Sequence, residues 1–209
     1  MSGPAGESLE QVKADCYASG ERAGMVYWQR LRGVALGPFL NLLSRLGIRP
    51  DHLTLLSAAS GLSFCPLILW SKPLAFVMIA VHVLLDGLDG PLARHTNTAS
   101  RRGSFTDSMA DQLVVVASTI TMMGADQVGI LAGSAYAVAY TVVMGFAMVR
   151  NALSIPYSWL VRPRFFVYVW FFVETYYLPG TIDYVLWFFN ALLGAKVLTG
   201  YWKIRARIL

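Results

Sequence analysis

The sequence predicts an all-α integral membrane protein with six transmembrane helices preceded by an amphipathic surface helix. Three observations carry this. The 209 residues are 56% hydrophobic and only 14% charged, against about 25% charged in soluble domains. Mean hydropathy is +0.53. Apolar runs recur at lengths near the ~20 residues that span a bilayer. The apolar content excludes a disordered chain. Two cysteines, Cys16 and Cys65, exclude a disulfide scaffold.

Residues 1–24 read as a polar N-terminal segment. Glu7, Glu10, Lys13, Asp15, Glu21 and Arg22 interrupt it and no apolar core appears, so it does not resemble a cleaved signal. Residues 25–209 form the membrane domain. Its first part, about 25–48, mixes aromatic and aliphatic side chains with Arg30, Arg32 and Arg45. That pattern suits a helix lying on a membrane surface, and equally a short linker helix packed on protein. Pro50 disfavours helix at Arg49, and Asp51 can cap the first span. The spans are then expected at about 52–70, 74–90, 105–124, 128–150, 165–178 and 182–200. Ser71-Lys72-Pro73 is a tight turn, 94–104 a polar loop, Arg162-Pro163-Arg164 a second loop, and the basic stretch WKIRARIL comes after span six.

Six spans put both termini on one side. With the N-terminus cytoplasmic, sixteen of the seventeen Lys and Arg residues fall on the inner side, and only Lys72 lies outside. Asp126, Glu174 and Asp183 fall at the outer ends. This asymmetry follows the positive-inside rule. It accounts for the net charge of +5 without nucleic acid. The expected location is a multi-pass membrane protein with its active site and both termini cytoplasmic, in the inner membrane if bacterial. Basic residues there face anionic lipid headgroups or anionic substrates.

The chemistry concentrates in residues 86–111. Asp86 and Asp89 close span two at i, i+3, and Asp107 and Asp111 open span three at i, i+4. Each spacing puts both carboxylates on one helix face, and both helix ends are on the cytoplasmic side. The four can therefore converge at one depth. Intramembrane carboxylates are costly, and together they repel. Divalent cations resolve both problems, and all-oxygen ligands suit Mg²⁺, Mn²⁺ or Ca²⁺. Two ions on four carboxylates leave a near-neutral site able to accept phosphate oxygens. Gly87, Gly90, Ala93 and Gly103 remove bulk nearby, and Arg94 is placed to pair with a phosphate. Singly, each residue has a plainer reading: a solvated helix cap, a proton-relay acid, a packing notch. Together they point to a diphosphate-bearing substrate.

The pattern Asp86-x-x-Asp89-Gly90-x-x-Ala93-Arg94, eight residues, Gly103, three residues, Asp107, three residues, Asp111 resembles the signature of the CDP-alcohol phosphotransferases (the class I CDP-alcohol phosphatidyltransferases). All eight fixed positions and their spacings agree. The length, six spans, leading surface helix and the entry Arg49-Pro50-Asp51-His52-Leu53-Thr54 are similar too. The resemblance implies attack of an alcohol on the phosphorus of a CDP-activated group, with CMP leaving. It implies two divalent ions, Mg²⁺ or Mn²⁺, on Asp86, Asp89, Asp107 and Asp111, with Asp111 as the base. It places Gly90, Arg94, Gly103, Asp107 and Thr54 around the CDP moiety, and CDP-diacylglycerol and a polar alcohol as substrates. Family members often pair as homodimers, so a second copy is a further expected partner.

The acceptor is less legible. Arg150, Arg162 and Arg164 are expected on the cytoplasmic side and suit a phosphorylated acceptor; Arg162 and Arg164 also suit simple anchoring of a span end. The reading adopted from sequence is glycerol 3-phosphate, giving phosphatidylglycerol phosphate. Inositol phosphate, serine or another alcohol is the alternative. From different classes, a cation transporter or an inactive scaffold competes. The absence of repeated halves and the clustering of acids at one face weigh against the transporter.

Overall fold

In the computed structural model the described residues are 35–153, 155 and 162–208. They form seven helices and no strand. The expected polar segment 1–24 and the first part of the surface helix, 25–34, lie outside the described residues. Helix α1 covers residues 35–45. It stops where Gly47 takes φ 72°, and the N–H of Gly47 and Ile48 satisfy the carbonyls of Ser44 and Leu43, a glycine-terminated helix end. Leu40 and Leu43 are buried against Leu53 and Leu92, which fixes α1 onto the bundle. Phe39, Leu42 and Leu46 face outward.

Helix α2 is Pro50–Trp70, α3 Lys72–His95, α4 Arg101–Gly124, α5 Ile130–Ala152, α6 Pro163–Tyr176 and α7 Ile182–Ile208. All six expected spans fall on these helices, and several ends move. Arg49, not Asp51, is the N-cap residue of α2; Pro50 and Asp51 occupy its first turn, where proline lacks nothing and a negative charge suits the helix dipole. Helix α3 runs through Pro91 to His95 rather than ending at 90. Proline removes one intrahelical hydrogen bond, a loss membrane helices tolerate when neighbours pack the site, and Pro91 is buried. The polar loop shrinks to 96–100, because Ser100 caps α4 by accepting from the Gly103 N–H at 3.0 Å. The basic stretch after residue 200 continues α7, with the Arg205 guanidinium 5.4 Å over the Trp202 ring.

Four helices, α2, α3, α5 and α7, are long and apolar enough to cross a membrane. Helix α4 falls short on hydropathy because it carries Arg101, Arg102, Asp107, Asp111 and several hydroxyls. Two of those hydroxyls are satisfied inside the helix: Thr119 donates to Val115 O at 2.7 Å and Ser118 to the same carbonyl at 3.1 Å. Helix α6 has only 14 residues, roughly 21 Å at 1.5 Å per residue, less than the ~30 Å hydrocarbon core.

Helix α2 packs on α3 and α4, α5 on α7 and α4, and α6 on α7 and α3. Gly61 lets α2 and α4 approach closely: a Cβ there would lie 2.6 Å from Val114 Cγ1. The core runs through Phe64, Phe76, Val114, Tyr136, Val143, Phe171, Leu186 and Leu193. The aromatic run of α6 is divided between core and outer surface. Val167, Tyr168 and Phe171 are buried, while Phe166, Val169, Phe172 and Tyr176 are exposed. Phe171 stacks on Phe64 and Phe76 at 6.0 and 5.4 Å. Trp70, Leu131 and Tyr184 are also among the apolar side chains on the outer surface, the distribution a protein in hydrocarbon shows and a soluble one avoids.

Candidate active site

The site forms where the C-terminal end of α3 meets the N-terminal ends of α4 and α6. Asp86, Asp89 and Asp107 each offer a carboxylate oxygen, all within 4.8 Å of one another. Asp86 and Asp89 are buried, and Asp107 and Asp111 half-buried. The helical spacing read in the sequence therefore brings three of the four carboxylates into one compact group. Asp111 stands outside that trio and is paired with Arg164.

Asp86 and Asp89, like Asp111, have a defined hold. Asp89 Oδ2 accepts from the Thr54 hydroxyl at 2.9 Å, and Oδ1 from the Gly90 N–H at 2.5 Å. Thr54 is itself buried on α2, with Pro50 O at 3.3 Å. Asp86 Oδ2 accepts from Arg164 Nη2 at 2.7 Å, and Arg162 Nη1 approaches the same oxygen at 3.8 Å. One turn below Asp86, His82 is buried, with Nδ1 2.9 Å from the Ser57 hydroxyl, which ties α3 to α2 under the site.

The other residues singled out from sequence fall around this group. A Cβ on Gly90 would lie 3.5 Å from Arg94 Nη1, so the Arg94 guanidinium folds back over the glycine. Gly103 lies in the first turn of α4 and donates to Ser100. Arg150 is buried at the end of α5. Arg162 caps α6 and its side chain is 53% exposed; the Arg164 side chain is 2% exposed. The sequence marks Arg164 as an acceptor ligand or a span anchor. It does not reveal that Arg164 joins Asp86 to Asp111. The available signal is its position right after Pro163 in an otherwise apolar helix.

The donor set suits a hard divalent cation. Three carboxylates on rigid helix ends give an all-oxygen site of high negative charge, which is what Mg²⁺ and Mn²⁺ take. Among the described residues no thiolate or imidazole joins the group.

At the other end of the bundle Lys72, Asp126, Glu174 and Asp183 line a cleft of about 580 Å³. The outlying lysine and the acids assigned to the opposite face thus sit together, away from the aspartates. Glu174 accepts from Gly180 N, Thr181 N and Ile182 N at 2.6–2.9 Å, and Asp183 from Gly129 N at 2.9 Å, so both acids have structural work there.

The sequence model of the CDP-alcohol phosphatidyltransferases matches residues 48–202. The chain belongs to this family. Among curated relatives, archaetidylinositol phosphate synthase of Aeropyrum pernix is 38% identical over 74 residues, 35% of this chain and 38% of that protein. CDP-diacylglycerol–serine O-phosphatidyltransferase of Mycobacterium bovis is 42% identical over 67 residues, 32% of this chain and 23% of that protein. The matches thus span well under half of these relatives' lengths. In fold, the chain is similar to Mycobacterium tuberculosis phosphatidylinositol phosphate synthase solved with CDP-DAG bound, at TM-score 0.67 and 18% identity, covering 80% of this chain and 92% of that one. The same mycobacterial enzyme has been solved with manganese and citrate, at TM-score 0.66 and 18% identity, with 80% of this chain and 87% of that one covered. These relatives are named for inositol phosphate and serine products. The expectation of glycerol 3-phosphate as acceptor finds no support among them.

Proposed function

We propose that this chain transfers a phosphatidyl group from CDP-diacylglycerol to a phosphorylated polyol of the inositol phosphate kind, releasing CMP. The observation that carries this is the compact Asp86–Asp89–Asp107 group on the stretch that bears the family signature. In the reaction the acceptor hydroxyl oxygen forms a bond to the lipid-bearing phosphorus. The bond from that phosphorus to the oxygen bridging to CMP breaks. The hydroxyl proton passes to Asp111, and the bridging oxygen leaves on CMP.

Asp86, Asp89, Asp107 and Asp111 would hold two divalent ions, Mg²⁺ or Mn²⁺, which neutralise charge on the diphosphate and align attacking and leaving oxygens. Asp107 serves both the metals and the CDP moiety. Gly90, Gly103, Arg94 and Thr54 surround that moiety: the glycines admit the diphosphate to the backbone, and Arg94 meets it with a fork of donors. Thr54 acts from beneath, through Asp89. Arg150, Arg162 and Arg164 supply the positive charge a phosphorylated acceptor needs.

The lipid anchor stays in the bilayer while its head reaches water. This fits six spans, with α4 and α6 completing the four apolar ones, α1 as part of a surface helix within 25–48, and residues 25–209 as one membrane domain after the segment 1–24. Both termini and the site then face the cytoplasm, the basic side. Pairing into a homodimer rests on the family resemblance alone. A cation transporter or an inactive scaffold gains nothing from a site at one helix end with every signature acid present.

Serine is the second reading, favoured by the 42% identity to the mycobacterial serine enzyme. The test is CMP release by purified protein with CDP-diacylglycerol and Mg²⁺ across inositol phosphate, glycerol 3-phosphate, inositol, serine and phosphatidylglycerol. Release with inositol phosphate supports the proposal. Release with serine alone replaces it by the second reading, and release with glycerol 3-phosphate alone restores the acceptor first read from sequence.

A further inference from the structure

One cation is built into the aspartate group. Arg164 is the second residue of α6, behind Pro163, and its side chain is 2% exposed. Its two terminal nitrogens reach carboxylates on two different helices. Nη2 donates to Asp86 Oδ2 on α3 at 2.7 Å, and Nη1 pairs with Asp111 Oδ2 on α4. The guanidinium lies 4.8 Å over the Phe165 ring, and its buried Nε has no hydrogen-bond partner among the described residues. The carboxylates therefore divide unequally. Asp86, Asp89 and Asp107 form a set with oxygens within 4.8 Å of one another, and the fourth, Asp111, is tied to that set through Arg164, which it shares with Asp86.

We infer that Arg164 is a positioning residue that holds Asp86 and Asp111 together as a resident counter-cation and opposes the second divalent ion. The first ion seats on Asp86, Asp89 and Asp107. The second, which needs Asp111, binds only as the Arg164 contacts give way. The inference rests on the metal reading of the aspartates proposed above.

Electrostatics points in one direction. Four carboxylates at one depth repel, and a forked guanidinium shared by two of them relieves this without an ion. Once a divalent ion is seated, the same guanidinium is a like charge beside the next one. Such repulsion is strong where water is excluded. Arg162 also approaches Asp86, at 3.8 Å, but its side chain is half exposed and so is screened by water. Arg164 thus sets the gap between first and second ion affinities.

The test is a Mn²⁺ titration of purified protein followed by electron paramagnetic resonance, without substrates. The wild type is expected to bind one ion tightly and a second more weakly. Arg164→Gln should tighten the second site by roughly tenfold or more, the scale on which a nearby charge shifts an ionic equilibrium. The first site should tighten by less, about threefold at most, because Arg164 contacts only Asp86 of its three ligands. Arg164→Lys keeps the charge but cannot fork between two carboxylates, so its second site should tighten to a smaller extent. It carries the same test if the glutamine variant fails to fold. A merely structural role for Arg164 would weaken both sites, the opposite sign. A second-site affinity that is unchanged or weaker, in a variant whose first site is intact, overturns the inference. Binding of no Mn²⁺ by the wild type overturns the metal reading itself, and this inference with it.

Discussion

Thr54 lies 35 residues before Asp89, yet its hydroxyl reaches that carboxylate from α2 at 2.9 Å. The contact orients Asp89 toward Asp86 and Asp107. A hydrogen bond to a charged group contributes about 1.5–3 kcal/mol, and on the proposed metal reading it fixes the geometry of a ligand. Thr54→Val keeps the volume and removes the donor. We expect kcat to fall roughly tenfold, near 1.4 kcal/mol on the barrier, with a higher Mg²⁺ requirement and unchanged insertion. Activity measured against Mg²⁺ concentration checks this; an unchanged Mg²⁺ dependence would remove Thr54 from the metal-orienting role. Neither this contact nor the Arg164 bridge is legible in the sequence. Local spacing reports which residues share a helix face: it groups Asp86 with Asp89, which lie together in the structure, and Asp107 with Asp111, which stands outside the compact group. It carries no information on a partner 78 residues away, as Arg164 is from Asp86.

At the scale of the helix, the ends decide what the site can do. Expected and observed spans agree through their apolar middles and part at their polar ends. Pro91 suggests a stop, but α3 continues through it for another turn, which keeps Arg94 on helix above Gly90 rather than in a loop. Ser100 starts α4 early, so Asp107 and Asp111 lie nearly two and nearly three turns inside a helix already formed. Hydropathy cannot see either effect, because capping and packing compensate the polar residues. The far ends are held just as specifically. The Glu174 carboxylate accepts the N–H groups of Gly180, Thr181 and Ile182 and the Thr181 hydroxyl at 3.1 Å, closing the turn at Gly180, where φ is 84°. A negative charge at a helix N-terminus is favourable. Glu174→Gln sets an amide against backbone donors. We expect a loss of about 1–3 kcal/mol, read as a lower thermal midpoint in detergent, while CMP release per folded molecule is retained. An unaltered midpoint would show that α7 does not depend on this cap.

Over the whole molecule, charge separates the two ends of the bundle. The aspartates, with Arg94, Arg162 and Arg164, occupy one end, and Lys72 lines the cleft at the other with Asp126, Glu174 and Asp183. That polarity is readable from the sequence, because the distribution of seventeen basic residues needs only the order of spans, not their packing. The number of spans is less so: α4 and α6 are too polar or too short to qualify on their own and hold their places by packing on α2 and α5, and on α7 and α3. The arrangement puts an acidic group at the edge of an apolar bundle, as the proposed transfer from a lipid-anchored diphosphate to a water-soluble alcohol requires. The most direct test uses protein in lipid nanodiscs, supplied with CDP-diacylglycerol, inositol phosphate and Mg²⁺. Wild type is compared with Asp111→Asn. We expect Mg²⁺-dependent CMP release that the substitution reduces by about 10²-fold or more, the scale of a lost general base, with CDP-diacylglycerol still bound. Release that persists in Asp111→Asn at the wild-type rate, or that proceeds without divalent cation, would contradict a metal-dependent transfer with Asp111 as its base.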